Sequence, residues 1–179
     1  MALSKLRTRG VIVITVTMRA SYIDKVFKNY ASQHWPKKEL IIILNNDEMD
    51  LADYQQRASQ YPNVRVYQRP EHKSLGQCLN FAVRRAKHDY LAKFDDDDYY
   101  RPNYLPEAMR TFQRTKADIV GKTSYFLYFP HRQILLLRRK SVRRFLSEKK
   151  LFAENSSKRI RTNFFKRHVN RPVQAREKT

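Results

Sequence analysis

Four consecutive carboxylates, Asp95–Asp98, follow a short apolar run in "YLAKFDDDDYYRPNYL", residues 90–105. Four adjacent like charges repel one another unless water or a cation relieves them. Hard oxygen donors of this kind suit Mg²⁺ or Mn²⁺. Such ions are commonly held by one or two carboxylates, with substrate phosphates completing the shell. The competing account is an acidic turn that caps the next helix, with Asp98 or Asn103 near its N-terminus. A calcium loop of the EF-hand type is excluded, because Tyr100 and Pro106 stand where its glycine and its bidentate glutamate belong.

The surrounding elements must deliver those carboxylates to one place. "GVIVITVT", Gly10 to Thr17, is a β-branched run fit for a strand buried on both faces. Ser21 can cap a following helix, with Ile23, Val26, Phe27 and Tyr30 on its inner side and Pro36 ending it. "ELIIIL", Glu39 to Leu44, predicts a second strand, and Asp50 can cap a short helix carrying Leu51, Tyr54 and Ala58. "NVRVYQ" predicts a third strand. Ser74 opens a helix with Leu75, Leu79, Ala82, Val83 and Ala86 inside, and "YLAKF" predicts a fourth strand. Pro102 opens another helix carrying Leu105, Met109 and Phe112, and "ADIVGKTSYFLYF" supplies one or two further strands. This alternation predicts an α/β fold, a mostly parallel, doubly wound, Rossmann-like sheet with helices on both faces. Ligands of such sheets bind beyond the carboxyl ends of the strands. "TVTMR", "NND" and "DDDD" all fall at predicted strand ends and should gather along one edge.

The pattern resembles the inverting family-two glycosyltransferases of the GT-A fold. "SLGQCLNFAVRRAKHDYLAKFDDDDYYRPNYL" is similar to that family's stretch from a Gly-led helix, through an Asn, to an Asp-x-Asp-like element, and "VIVITVTMRASYIDKVFKNYASQHWPKKELIIILNND" to its first βαβ unit. The resemblance covers about residues 10 to 130. It implies a nucleotide-diphospho-sugar donor, most simply of the UDP type, held through Mn²⁺ or Mg²⁺. Asp95 and Asp97 then take the Asp-x-Asp places as metal ligands, Asp97 foremost, and Asp96 or Asp95 meets a ribose hydroxyl. Thr15 and Thr17 line the nucleotide pocket, Asn80 joins it from the helix, and Asn45, Asn46 and Asp47 stand where the family uses a carboxylate against the base. Met18-Arg19 replaces the family's usual Tyr-Asn, and Leu79 replaces a basic residue beside Asn80.

Charge marks a boundary near Leu137. The chain carries 37 Lys/Arg and 17 Asp/Glu, a net +20; residues 138–179 hold 15 and 3 of these, net +12, which leaves +8 for residues 1–137. The expected organisation is therefore a donor-binding domain over 1–137 and a basic tail over 138–179, disordered or foreign to the family. Family members take an acceptor-side Asp or Glu as catalytic base from their second half. The tail's interior carboxylates, Glu148 and Glu154, sit among cations that would weaken them as bases. The expectation is donor binding with slow transfer, or none, to an acceptor that the sequence does not identify.

Two other function classes compete. The positive charge would attract nucleic acid, non-specifically and through the tail, but no helix-turn-helix, zinc-finger or RNA-recognition signature accompanies it. Another metal-dependent nucleotide enzyme would need a Gly-rich phosphate loop, and the chain has three glycines, Gly10, Gly76 and Gly121. The lone cysteine, Cys78, builds no disulfide or zinc site and fits a reducing, cytoplasmic setting. "VIVITV" is too short for a signal peptide core, and no apolar run approaches the ~20 residues of a membrane span.

Overall fold

The computed structural model describes residues 9–115, 117–122, 124–139 and 164–166. Strands β1 (Val11–Thr17), β2 (Lys38–Leu44), β3 (Val64–Gln68) and β4 (Tyr90–Lys93) form the parallel heart of a six-stranded sheet. Its order is β3-β2-β1-β4, then β8 (Phe164–Lys166) and β5 (Ile119–Val120). β5 closes one edge, and β8 runs antiparallel between β4 and β5. The β-branched run of β1 is almost entirely buried because helices cover both faces of the sheet.

Side-chain alternation divides the core into two layers. Val11, Val13, Leu40 and Ile42 face one layer, with Phe27 and Tyr30 of α1 (Ile23–Ala31), Tyr54 of α2 (Leu51–Ala58), and Leu105, Met109 and Phe112 of α4 (Tyr104–Thr115). Ile12, Ile14, Ile41 and Ile43 face the other, with Cys78 and Ala82 of α3 (Leu75–Arg85).

Two predicted caps form as read. Asp50 accepts hydrogen bonds from the amides of Ala52 and Asp53, and Ser74 and Gln77 make a reciprocal capping box. Two helix starts differ. Ser21 lies inside a 3₁₀ turn, Ala20–Tyr22, and α1 begins beyond it without a side-chain cap. Pro102 lies in the turn before α4, which starts at Tyr104.

The segment after Val120 forms a hairpin apart from the main sheet, β6 (Ser124–Phe129) against β7 (Ile134–Arg139). Gln133, at φ 50°, makes its left-handed turn. Phe126, Tyr128, Phe129 and Ile134–Leu137 are exposed on it. Charge sets the basic segment apart from the sheet, yet β8, drawn from that segment, is one of the sheet's strands. Glu148, Glu154 and the rest of 140–163 and 167–179 lie outside the described residues. No helix among the described residues is long and apolar enough to cross a membrane.

Candidate functional site

The strand order reverses between β1 and β4, since β1 leads on to β2 and β3 on one side and β4 lies on the other. A crevice opens beyond the carboxyl ends of strands at such a point. Both strands end there in polar side chains. Thr17 closes β1, and Asp95–Asp98 follow β4 by way of Phe94, whose amide bonds the Ile14 carbonyl at 2.9 Å.

The four carboxylates have unlike surroundings. Asp96 is buried, 5 % exposed. It accepts 2.6 Å from the Thr17 hydroxyl and 3.3 Å from Arg19 Nε, and a second bond from Arg19 Nη2. Asp97 is exposed, with half its side-chain surface open and Oδ2 lying 3.2 Å from the same Nη2. Asp95 is half-buried and paired with Lys93. Asp98, also half-buried, accepts from Asn29 Nδ2 through its carbonyl at 2.9 Å. The chain's own cations therefore relieve much of the repulsion inherent in four adjacent acids.

Arg19 is the least expected member of the group. Its amide donates to Thr17 Oγ1 at 3.1 Å, and its guanidinium carbon lies 4.3 Å from the centre of the Tyr22 ring. Hydrogen bonding to Asp96, chiefly, and then to Asp97 pushes its pKa still higher, so it is a fixed positive charge. Lys25 Nζ adds a second cation, 3.1 Å from the Asp97 carbonyl.

A scaffold on α1 and just past its end holds the acidic loop. Asn29 donates to the Asp98 carbonyl and accepts from the Tyr100 amide at 3.1 Å. Gln33 Nε2 contacts the carbonyls of Tyr100 and Arg101 at 3.2 and 3.0 Å, while its Oε1 accepts from the Leu105 amide at 3.1 Å. Both side chains are buried. They sit three residues after Val26 and Tyr30, inside the apolar stripe, and a buried amide in such a stripe is the sequence signal that reveals them. Tyr100 stacks on Phe94 at 3.8 Å, and its hydroxyl accepts from the Asp95 amide at 2.9 Å. Burial holds that hydroxyl protonated, its pKa far above the usual phenol value. Of the neighbouring tyrosines, Tyr104 packs edge-on against Phe94 and Tyr100, and Tyr99 stands exposed.

The remaining sequence-predicted residues are unevenly placed. Thr15 is buried beside Ile42 of β2. Asn45 is buried, with its amide on the Pro70 carbonyl at 2.8 Å. Asn46 donates to the Met18 carbonyl at 3.3 Å, tying the ends of β2 and β1 together, and Asp47 is exposed. Asn80 is half-buried on α3, and among the described residues no hydrogen bond joins it to the acidic loop. Tyr54 is buried, and among the described residues its hydroxyl has no hydrogen-bond partner. Burial first, then the charges of Asp53 and Asp96, raises its pKa to about 12.

The donor chemistry admits a divalent cation only as a shared site. Among the described residues no three His, Cys, Asp or Glu side chains are grouped to hold a metal unaided. Asp97 offers one half-open carboxylate at the crevice, which suffices where phosphate oxygens complete the shell.

The sequence model of the family described as "Glycosyl transferase family 2" matches residues 11–170. The sequence resemblance covers about residues 10 to 130; the family model's match runs on past Leu137 and over β8. A curated relative from Methanococcus voltae, dolichyl N-acetyl-alpha-D-glucosaminyl phosphate 3-beta-D-2,3-diacetamido-2,3-dideoxy-beta-D-glucuronosyltransferase, is 22% identical over 112 residues, 60% of this chain and 35% of its own. The chain thus spans about a third of that relative's length. The structure of mannosyltransferase PcManGT from Pyrobaculum calidifontis, in complex with GDP-Man and Mn²⁺, superposes with TM-score 0.58 at 20% identity, over 70% of this chain and 38% of that one. S. aureus TarS 1–349 in complex with UDP-GlcNAc gives TM-score 0.55 at 16% identity, over 65% and 39%. At these identities the likeness establishes the GT-A fold.

Proposed function

From the premise that the chain belongs to glycosyl transferase family 2, we propose that it binds a nucleotide-diphospho-sugar, of UDP type, in the crevice between the ends of β1 and β4. The observation that carries this reading is the pairing of a buried acid with an open one at the switch point. Asp96 is fixed through Thr17 and Arg19, while its neighbour Asp97 presents a half-open carboxylate. Asp97, with Asp95 beside it, would hold Mn²⁺ or Mg²⁺ jointly with the donor's diphosphate. The ion supplies Lewis-acid stabilisation of the leaving nucleoside diphosphate when bound.

The other residues position the nucleotide. Asn45 and Asn46 spend their amides on the backbone and keep the β2 end in place. That leaves the exposed Asp47 to meet the base. Thr17 orients Asp96, and Thr15 is buried two residues before Thr17 on the same strand. The donors named in the two superposed complexes, GDP-Man and UDP-GlcNAc, support a nucleotide-sugar ligand. In this reading the chain is the donor-binding part of a transferase, and sugar transfer is slow unless an acceptor-side base comes from elsewhere.

Calorimetric titration with UDP, with and without Mn²⁺, tests the proposal. Mn²⁺ should tighten UDP binding about tenfold or more, and Asp97→Ala should abolish that gain. Equal UDP affinity in both conditions would refute it.

A further inference from the structure

The guanidinium of Arg19 sits on one oxygen of the Asp97 carboxylate, the group that a cation would have to share with it. Nη2 is 3.2 Å from Asp97 Oδ2, and the same group bonds Asp96. Two cations at such a separation repel strongly, so Asp97 cannot hold both at full strength. Yet Arg19 is not buried. About half of its side chain is open to solvent, and it lies over the ring of Tyr22, which Lys25 also approaches. It can therefore swing off Asp97 while keeping its backbone anchor on Thr17.

We propose that Arg19 is the resident counter-ion of the acidic loop. It excludes a divalent cation from Asp97 in the unliganded protein and turns to the donor's diphosphate when Asp97 takes the ion. The inference rests on the donor-binding reading above and adds a coupling to it. A diphosphate offers Arg19 a new anionic partner, and planar guanidinium groups recognise phosphate oxygens well. Departure of Arg19 then frees Asp97. Metal and nucleotide each remove an obstacle to the other, and by linkage the enhancement is the same in both directions. Arg19 is thus a specificity-setting residue, one that makes the site respond to metal with nucleotide and only poorly to metal alone.

The test is Mn²⁺ affinity, read from the electron paramagnetic resonance signal of free Mn²⁺, with and without UDP. Wild type, Arg19→Gln and Arg19→Lys are compared, with circular dichroism confirming that each is folded. Wild type should bind Mn²⁺ weakly alone and about tenfold or more tightly with UDP. Arg19→Gln should bind Mn²⁺ alone about tenfold more tightly than wild type and lose most of the UDP enhancement. Arg19→Lys keeps the charge and should stay within about threefold of wild type. An unchanged or weaker Mn²⁺ affinity in Arg19→Gln overturns the inference, as does equal tightening in Arg19→Lys. Failure of the donor-binding reading has a separate signature. UDP would then bind no variant, while Arg19→Gln could still gain affinity for Mn²⁺ alone, which would uphold Arg19 as the excluding cation. Absence of Mn²⁺ binding in every variant overturns both.

Discussion

Removing the carboxylate of Asp96 and removing that of Asp97 should damage the protein in opposite ways, although the residues are neighbours. Asp96 is buried and receives the Thr17 hydroxyl at 2.6 Å. A buried hydrogen bond to an ionised group is worth about 1.5–3 kcal/mol, and its loss leaves the Thr17 hydroxyl without its acceptor. The bonds from Arg19 add less, because about half of that side chain is in water. Discounted to surface value they contribute roughly 0.2–1 kcal/mol. Asp96→Ala should therefore cost about 2–4 kcal/mol, or on the order of 5–15 °C in Tm for a domain of this size. Asp97 is half-open, and the ion pair with Arg19 is at the surface. Asp97→Ala loses about 0–1 kcal/mol there and relieves repulsion among the remaining acids, so its Tm should stay within about 3 °C of wild type. Thermal unfolding followed by circular dichroism, alongside UDP titration in Mn²⁺, separates the two. The expected result is a destabilised Asp96→Ala and a stable Asp97→Ala that has lost the metal effect. Equal destabilisation of both, or an Asp96→Ala protein as stable as wild type, would refute the division of labour.

Tyr54→Phe should raise stability by about 1 kcal/mol, since it removes a buried hydroxyl with no partner among the described residues, and a lowered urea midpoint would contradict this. Stability should fall in alkali. Tyr30 and Tyr54, both pushed up to about 12 chiefly by burial, and Tyr100, raised further, keep their protons in the fold after the unfolded chain begins to lose its own near pH 10. Lys38, lowered by burial, acts with the opposite sign, but its gain is complete once pH passes its ordinary value of 10.5. Urea midpoints should thus decline between about pH 10.5 and 12, and a flat profile would contradict the burial of these phenols. Gln33→Ala leaves the Leu105 amide and the carbonyls of Tyr100 and Arg101 without their side-chain partner, so it should cost about 2–3 kcal/mol and loosen the acidic loop. Faster hydrogen exchange over residues 97–105 is the check. Deleting residues 138–179 would remove β8 and open the edge of β4, so the shortened protein should aggregate; a monodisperse, cooperatively melting product would show that β8 is dispensable.

The parallel heart of the fold can be read from the chain because each element carries its own local signal. β1 and β2 are β-branched runs too apolar to face water, and Asp50 and Ser74 cap their helices through bonds made within three residues. The acidic loop is equally legible, since four adjacent carboxylates after a buried strand demand relief. What is hidden is the source of that relief. Arg19 lies 77 residues from Asp96, Asn29 lies 69 from Asp98, and nothing in the local sequence around either says that the pair meets. β8 is hidden for the same reason. "FFK" sits among Lys and Arg, and only pairing with β4 and β5, which come together once the sheet exists, makes it a strand. Composition counts charge per residue, whereas the ladder needs only backbone amides and carbonyls. A three-residue strand can therefore be drawn from a segment of net charge +12. The same distinction explains Arg19. By composition it is one cation among 37, but its position at the end of β1 sets it across the switch point from the acids of β4. There, on the reading proposed above, its charge would decide which other cations the site admits.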